Sequence, residues 1–356
     1  MLGLDLRTAR IVWTAFVVGF LLFLVYIARS TVLVVIFAIL FSYLIYPLIG
    51  LIERFMPRRV PRTAAIAVGF IVAIAVVAAA VSVFGARVAD EATRLGQKIP
   101  ELVRDPQAAS HFPLPHVLEP MRARIIGFVQ DQFQEGTGKA LPLAKSIGAS
   151  VVHAASNLIY IIVIPVLSFL LIKEGPAIRE TILARMGARQ RKLWANITDD
   201  LSFSLSRYVR ALLLLSLSTL LAYGTAFTVM GVPYALLLAA LAALLEFIPF
   251  IGPLAALVIA VLVAGFAGFD HVLLLFGLIV LYRGFQDYVL SPYLMSEGVE
   301  VSPLLVIIGL LVGDQIGGVA GIFLSVPVMA ALKIVFVRAN AARRQQQPAG
   351  PYPPVA

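Results

Sequence analysis

The sequence predicts an all-α membrane protein with about eight transmembrane segments, two of them broken or re-entrant hairpins, and with a helical insert outside the membrane. The first reason is composition: 61% of the residues are apolar and 13% are charged, whereas soluble domains carry about 25% charged residues. The second is that apolar runs of about 20 residues, the length that crosses a bilayer core, recur along the chain. The third is that two late apolar runs have prolines, glycines or acidic residues near their middle.

Charge and composition exclude several classes of protein. A formal net charge of +9 suits cytoplasmic loops that face anionic lipid. Because no dense basic block with interleaved aromatic residues occurs, we predict no nucleic-acid partner. The absence of cysteine excludes disulfides and thiolate metal sites. No Gly-x-x-x-x-Gly-Lys-Ser/Thr motif is present, so the chain cannot drive itself with ATP.

Residues 1–86 predict three transmembrane helices. Arg7 and Arg10 precede the first run, whose apolar core is longer than that of a cleaved signal peptide. The second run ends at Leu44-Ile45-Tyr46-Pro47, and four arginines between 53 and 62 mark a cytoplasmic loop before the third run.

Residues 87–150 differ from the rest because charged residues return. Two amphipathic stretches, 88–103 and 117–133, predict a small extracytoplasmic helical domain; the alternatives are a gate or an oligomer contact. His111 and His116 have no third ligand nearby, so we predict no metal site.

The following segments continue the membrane pattern. We predict a fourth transmembrane helix at 151–172, a basic amphipathic cytoplasmic helix at 173–207, a membrane core at 208–338 and a disordered cytoplasmic tail at 339–356. The predicted cytoplasmic segments hold 18 of the 28 lysines and arginines, which places both termini in the cytoplasm.

The core contains two broken apolar segments, 233–266 and 303–337. In the first, Glu246 precedes Pro249, Gly252 and Pro253. A charged Glu costs about 2.5–3.5 kcal/mol at a helix centre, and a helix break in hydrocarbon needs protein or a watery cavity to cover it. The segment therefore predicts a binding site at membrane depth; the alternative is a surface loop with a solvated acid.

Further polar residues lie on the segments that follow. Arg283 and Asp287 are four residues apart on one predicted helix, with Gln286 beside them, so the two charges can form an ion pair that is either functional or only structural. Asp314 and Gln315 interrupt the second broken segment. The glycines there recur every four residues, which favours close helix packing and counts against a break: Gly309, Gly313, Gly317 and Gly321.

From residue 208 onward the order of span, broken segment, span, broken segment forms a weak inverted repeat. If both broken segments are hairpins, the first enters from outside and the second from inside, which is the layout of alternating-access carriers. The competing interpretation makes each broken segment one kinked crossing. The distribution of lysine and arginine does not distinguish the two interpretations, because both leave the C-terminus in the cytoplasm.

These segments resemble the autoinducer-2 exporter (AI-2E) family of bacterial membrane proteins over most of the chain. The matching stretches are Leu44-Ile45-Tyr46-Pro47, Tyr208-Val209-Arg210, Leu245-Glu246-Phe247-Ile248-Pro249-Phe250-Ile251-Gly252-Pro253, Tyr288-Val289-Leu290-Ser291-Pro292 and Gly317-Gly318-Val319-Ala320-Gly321-Ile322-Phe323-Leu324-Ser325-Val326-Pro327. After Tyr208-Val209-Arg210 the family usually continues with Gly-Gln, whereas Ala211-Leu212 follows here, so any role of that Gln is absent.

The resemblance implies a homo-oligomeric carrier in the bacterial inner membrane, without enzymatic activity or cofactor. Some members are assigned to export of autoinducer-2 and others to exchange of sodium or lithium for protons. We therefore expect a secondary transporter in which a proton or sodium is the coupling ion. The alternative is a non-transporting membrane scaffold or regulator. An intramembrane aspartyl protease built on Asp287 and Asp314 is disfavoured, because the sequence has neither the Tyr-Asp nor the Gly-x-Gly-Asp motif.

Overall fold

The computed structural model describes residues 6–57, 59–104, 158–295 and 302–344, and these residues contain helices and no strands. The principal helices are α1 Leu6–Ile27, α2 Arg29–Phe55, α3 Arg62–Ala80, α4 Ala86–Arg104, α5 Leu158–Ala184, α6 Ala188–Met230, α7 Ala235–Leu245, α8 Ile251–Phe266, α9 Val272–Phe285, α10 Ser291–Met295 and α11 Pro303–Arg344. Within the described chain, five helical stretches are long and apolar enough to cross a membrane, and α7 and α8 are shorter apolar helices. The helices and the five candidate spans confirm the expectation of a multi-pass, all-helical protein. The total of eight crossings stays a prediction.

The chain divides into two compact units. One contains residues 1–42, 163–198 and 300–356, and the other contains residues 43–162 and 199–299. In the second unit, a core of buried apolar side chains joins the end of α6 to α7, α8 and α9, with Phe227, Ala239 and Leu275 at its centre.

Helices α3 and α4 form one continuous rod. A π-helical turn at Val81–Gly85 joins them, so the third predicted span runs into the first amphipathic stretch of the insert without a loop. From Ile71 to Phe84 nearly every side chain of this rod is exposed, and most of these side chains are apolar. This surface suits contact with lipid. The predicted helix at 117–133, the histidine pair, most of the insert and the tail beyond residue 344 lie outside the described residues.

The basic segment at 173–207 is divided between two helices. We expected one surface helix, but α5 continues to Ala184, a turn follows at 185–187, and α6 then runs unbroken from Ala188 to Met230. The two helices meet where Arg179 donates hydrogen bonds to Thr198 Oγ1 at 2.9 Å and to the Ala195 carbonyl at 3.2 Å. Leu183 on α5 and Ile197 on α6 are buried, as expected for a packed helix pair and not for one isolated surface helix.

Helices α7 and α8 form an antiparallel hairpin, hereafter hairpin 1. Small residues at three- and four-residue intervals face one another: Ala235, Ala239 and Ala242 on α7, and Ala256, Ala260 and Ala264 on α8. Small side chains let two helix backbones approach closely in an apolar environment. The 11 residues of α7 rise about 16 Å and the 16 residues of α8 about 24 Å, whereas a bilayer core is about 30 Å thick.

Helix α11 is also folded back on itself, hereafter hairpin 2. The reversal lies at Gly318, whose φ of 55° and ψ of −137° are non-helical and are open to glycine because it has no Cβ. Across the reversal the backbones of Gly313 and Gly321 touch, since a Cβ on either would overlap the carbonyl of the other, and a Cβ on Gly309 would meet Met329 Cγ at 2.8 Å. The expectation that the glycines count against a break is therefore wrong. They allow close packing, but between the two arms of a hairpin.

Candidate functional site

The turn of hairpin 1 carries Glu246 at the C-terminal end of α7. Glu246 is the C-cap residue, and its backbone N–H still donates to the Ala242 carbonyl at 3.0 Å. Four further backbone bonds lie in the turn: Phe247 N–H to the Leu244 carbonyl at 3.3 Å, Ile248 N–H to Leu245 at 2.9 Å, Ile251 N–H to Pro249 at 2.7 Å and Gly252 N–H to Ile248 at 2.9 Å. The backbone N–H and C=O groups of the turn are thus largely satisfied within it.

The proline and glycine residues of the turn have distinct structural roles. Pro249 precedes Phe250, whose positive φ of 63° with a ψ of −55° redirects the chain into α8. A Cβ on Gly252 would overlap the carbonyl oxygen of Leu245, so only glycine fits between the two arms. Pro253 lies in the first turn of α8, where a missing N–H leaves no helix bond unmade.

Glu246 and Arg283 meet because they lie equally far along two helices. Helix α7 begins at Ala235 and α9 at Val272, so each of the two charged residues follows 11 residues after a helix start. Helix α8 returns the chain between them, and α7 and α9 therefore run in the same direction. At a rise of 1.5 Å per residue, each of the two residues lies about 16 Å along the helix axis from the first residue of its helix.

The charged residues form a three-member cluster. Arg283 Nη1 donates to Glu246 Oε1 at 3.1 Å. Arg283 also binds Asp287, with Nε 2.9 Å from Oδ2 and Nη2 2.7 Å from Oδ1. The guanidinium fork is thus bidentate to Asp287, the strongest geometry for such a pair. The predicted pair of Arg283 and Asp287 is present, but Arg283 is shared with a second carboxylate that the sequence did not connect to it.

Exposure differs strongly across the cluster. The Glu246 side chain is 8% exposed, that of Arg283 34% and that of Asp287 47%. Glu246 is therefore the buried acid of the three, and Asp287 is the accessible one. Two acids and one base carry one net negative charge when all are ionised, so the cluster can take up one proton or one monovalent cation.

Gln286 links the cluster to the protein interior. Its side chain is 2% exposed, and its Nε2 donates to Glu246 Oε1 at 2.7 Å. Its Oε1 faces the Thr219 hydroxyl at 3.5 Å, which is the outer limit of a hydrogen bond. Gln286 also begins a π-helical turn, Gln286–Leu290, a feature that often occurs at functional sites. Among the described residues, the hydrogen bonds of the Glu246 carboxylate all fall on Oε1.

Sequence reasoning missed the contribution of α6. Its Ser216 hydroxyl donates to the Ala243 carbonyl at 2.7 Å, and Ser218 Oγ lies 2.8 Å from the Tyr282 hydroxyl. With Thr219 these residues form a polar patch that faces α7 and α9. Serine and threonine at positions 216, 218 and 219 within an apolar helix were the available sign, because such side chains bond across helices in membranes.

The other two predicted site residues belong to the other compact unit. Asp314 and Gln315 lie on the first arm of hairpin 2, shortly before the reversal at Gly318, and both are exposed. Asp287 is engaged by Arg283 and so does not resemble one half of a pair of carboxylates that share a proton. Within the described part of the chain, no group of three or more His, Asp or Glu residues is arranged to hold a metal ion.

Comparison with known proteins finds a family match and three relatives of this chain. The profile of the family described as AI-2E family transporter matches residues 13–340. The chain is 24% identical over 314 residues to the presumed transport protein YueF of Bacillus subtilis (strain 168), covering 85% of this chain and 83% of YueF. It is 28% identical over 174 residues to the presumed transport protein YrrI of the same organism, and this match spans about half of each chain, 49%. It is 38% identical over 128 residues to the presumed transport protein MT0215 of Mycobacterium tuberculosis (strain CDC 1551 / Oshkosh), covering 36% of this chain and 35% of MT0215.

Proposed function

The chain belongs to the AI-2E family of transporters, and from this premise we propose that it is a secondary transporter that works by alternating access. It exports a small solute such as autoinducer-2 or exchanges a monovalent cation, sodium or lithium, for protons. Glu246, Arg283, Gln286 and Asp287 form its ion-exchange site. We propose no enzymatic role.

The observation that carries this proposal is the buried acid at the turn of hairpin 1. Glu246 is 8% exposed and is bonded to Arg283 and Gln286, so its charge is balanced only while the cluster holds together. A proton on Glu246, or a cation beside it, weakens its attraction to Arg283. Occupancy of the site can therefore bias the position of hairpin 1 relative to α9, which is the kind of differential interaction that a conformational change requires.

We propose that both hairpins are re-entrant. The arms of hairpin 1 are shorter than the bilayer core, which supports an entry and a return by the same face with Glu246 near the midplane. In hairpin 2 the arm before Gly318 has 15 residues and rises about 22 Å, which is again too short to cross. The whole stretch Pro303–Ala342 is long enough for one crossing, but the contact of Gly313 with Gly321 is incompatible with one straight rod.

The proposed orientation places both termini in the cytoplasm and the base of hairpin 1 outside. The lysine and arginine distribution supports the first point. For the second, the rod of α3 and α4 rises about 43 Å from Arg62 to Glu91, and Glu91 accepts a hydrogen bond from Leu237 at the start of α7. Hairpin 1 therefore opens on the side to which α3 leads, and this is the predicted side of the insert. The exposed apolar surface of α3 supports contact with lipid or with another subunit of a homo-oligomer.

Flux into liposomes that contain only the purified protein tests the proposal. Counterflow of candidate solutes is measured with and without a pH gradient, and an internal pH-sensitive dye reports proton movement when sodium or lithium chloride is added. Protein-free liposomes are the control. Protein-dependent flux is expected. If no candidate solute or cation moves although the protein is folded and inserted, the chain is better described as a scaffold or regulator of another membrane complex.

A further inference from the structure

The N-terminus of α7 is capped by a residue from a distant helix. Tyr234, the residue at the N-cap position, is in a left-handed conformation with φ 60° and provides no side-chain cap. The N–H groups at the start of a helix have no intrahelical partner. Here the backbone N–H of Leu237 donates to Glu91 Oε2 at 2.8 Å, although the two residues are 146 positions apart. Leu237 is the third residue of α7, where an N-cap carboxylate normally acts.

Glu91 lies on the face of α4 that packs against α7. Five residues at helical spacing form its less exposed face, which packs against α7: Val88, Glu91, Ala92, Leu95 and Gly96. Among the α4 side chains that the structure describes, up to Lys98, Glu91 is the one charged residue on this face. The neighbouring Asp90 lies on the exposed side and pairs with Arg94 at 2.9 Å. The contact of Glu91 with α7 is thus a specific feature of an otherwise apolar helix interface.

Helix α7 connects the cap to the proposed exchange site as a short rigid rod. Leu237 lies near its beginning and Glu246 at its end, about 16 Å along the helix axis from the first residue. At its far end α7 is held to α8, because the backbone of Gly252 lies against the Leu245 carbonyl, so the two arms of hairpin 1 are expected to move together. A shift of the N-terminal end of α7 therefore displaces Glu246 from Arg283 and Gln286 by a similar amount.

We propose that Glu91 is a positioning residue that ties hairpin 1 to α4 and holds Glu246 in register with Arg283 and Gln286. The inference rests on the proposed function, because the register of Glu246 with Arg283 and Gln286 matters for ion exchange. The positioning contact of Glu91 is tested by a distance measurement that does not depend on transport. Loss of the Glu91 carboxylate frees the α7 N-terminus, and hairpin 1 then samples a range of positions along its axis relative to α9.

Spin-label distances provide that test. Because the chain has no cysteine, pairs of cysteines can be introduced at two exposed apolar positions, Leu244 on α7 and Leu281 on α9. The distance distribution between the two labels is compared in the full-length protein with and without Glu91→Ala. We expect a narrow distribution with Glu91 and one that is shifted or broadened by up to about one helical turn, 5 Å, without it. Identical distributions would overturn the proposal.

Two companion variants control the interpretation. Asp90→Ala removes the adjacent carboxylate, which does not contact α7, and is expected to leave the distribution unchanged; the same broadening as in Glu91→Ala would overturn the proposal. Glu91→Gln keeps an oxygen that can accept from the Leu237 N–H and is expected to restore most of the narrow distribution. If Glu91→Ala does not fold, Glu91→Asp, whose carboxylate is drawn back by one methylene, is measured in its place, and an unchanged distribution in that variant refutes the role of Glu91.

In the flux assay, Glu91→Ala is expected to lower the maximal rate several-fold while Asp90→Ala transports like wild type. If wild-type protein gives no flux at all, the proposed function fails, and the spin-label result still decides whether Glu91 positions hairpin 1. If wild type transports and Glu91→Ala transports equally fast, the positioning role is refuted while the proposed function stands.

Discussion

Replacing Glu246 by glutamine is expected to stop ion-coupled transport while leaving the protein folded. The substitution keeps the length of the side chain and an oxygen that can accept from both Arg283 and Gln286, but removes the charge and the exchangeable proton. A hydrogen bond to a charged group contributes about 1.5–3 kcal/mol and a neutral one about 0.5–1.5 kcal/mol. The bond from Gln286 becomes neutral and weakens by about 1 kcal/mol, the bond from Arg283 stays charge-assisted because the guanidinium is ionised, and removal of a buried charge offsets part of the loss.

The matched variant is Asp287→Asn. Asp287 is 47% exposed whereas Glu246 is 8% exposed, so Asp287 is the less buried of the two acids and its replacement by a neutral side chain of the same length is expected to be tolerated. Arg283 keeps one carboxylate partner in either variant. Neither substitution therefore leaves an unpaired buried charge, which is the situation that would cost about 3–5 kcal/mol.

The assay combines flux in proteoliposomes with melting temperature in detergent for both variants. We expect Glu246→Gln to show background flux, Asp287→Asn to retain measurable flux, and both to melt within a few degrees of wild type. Glu246→Asp is expected to retain part of the activity, because it keeps the exchangeable group. If Glu246→Gln transports like wild type on both sides of neutral pH, Glu246 is not the exchange group and the turn of hairpin 1 is only structural. If Asp287→Asn is the more damaging variant and acts through lost stability, the cluster is a structural ion pair.

Three further predictions concern the hairpins and the topology. Gly252→Ala is expected to lower the free energy of unfolding by about 1–3 kcal/mol, because the added Cβ overlaps a carbonyl oxygen of the opposite arm. The control is Gly277→Ala, where the added Cβ meets open space, and it is expected to be neutral or slightly stabilising. Equal melting temperatures for the two variants would contradict the tight contact at Gly252. Gly321→Ala is expected to destabilise hairpin 2 by a similar amount for the same reason, and wild-type stability would mean that the arms can separate freely. Single cysteines at Arg59 and Gln107 in this cysteine-free chain are expected to react with an impermeant maleimide in intact cells only at position 107, and labelling at position 59 would reverse the proposed orientation.

Several features followed from the sequence because they depend on local chemistry. The all-helical membrane class follows from composition and from the length of the apolar runs. The break at residues 246–253 follows from proline and glycine, which remove a helix bond or a side chain wherever they occur. The pairing of Arg283 with Asp287 follows from a spacing of four residues on one helix. These inferences need only the properties of one segment.

Other inferences failed or fell short because they depend on a partner segment. A four-residue glycine ridge is equally compatible with a helix packed against another helix and with a hairpin packed against itself, and the contact of Gly313 with Gly321 selects the second. The amphipathic pattern at 173–207 gave no sign of the turn at 185–187 that divides it between α5 and α6. A hydrophobic period reports which residues are buried but not which element buries them.

The helix break beside Glu246 within apolar surroundings, and the shared helix face of Arg283 and Asp287, can be read from the chain alone. The three-dimensional fold was needed to find that Arg283 bridges both acids, that Gln286 turns inward to Glu246, and that Glu91 caps the helix that carries Glu246. The physical reason is that these contacts join residues 37, 40 and 146 positions apart, and their geometry is set by the antiparallel return of α8 and the packing of α4 on α7. No local rule fixes such distances.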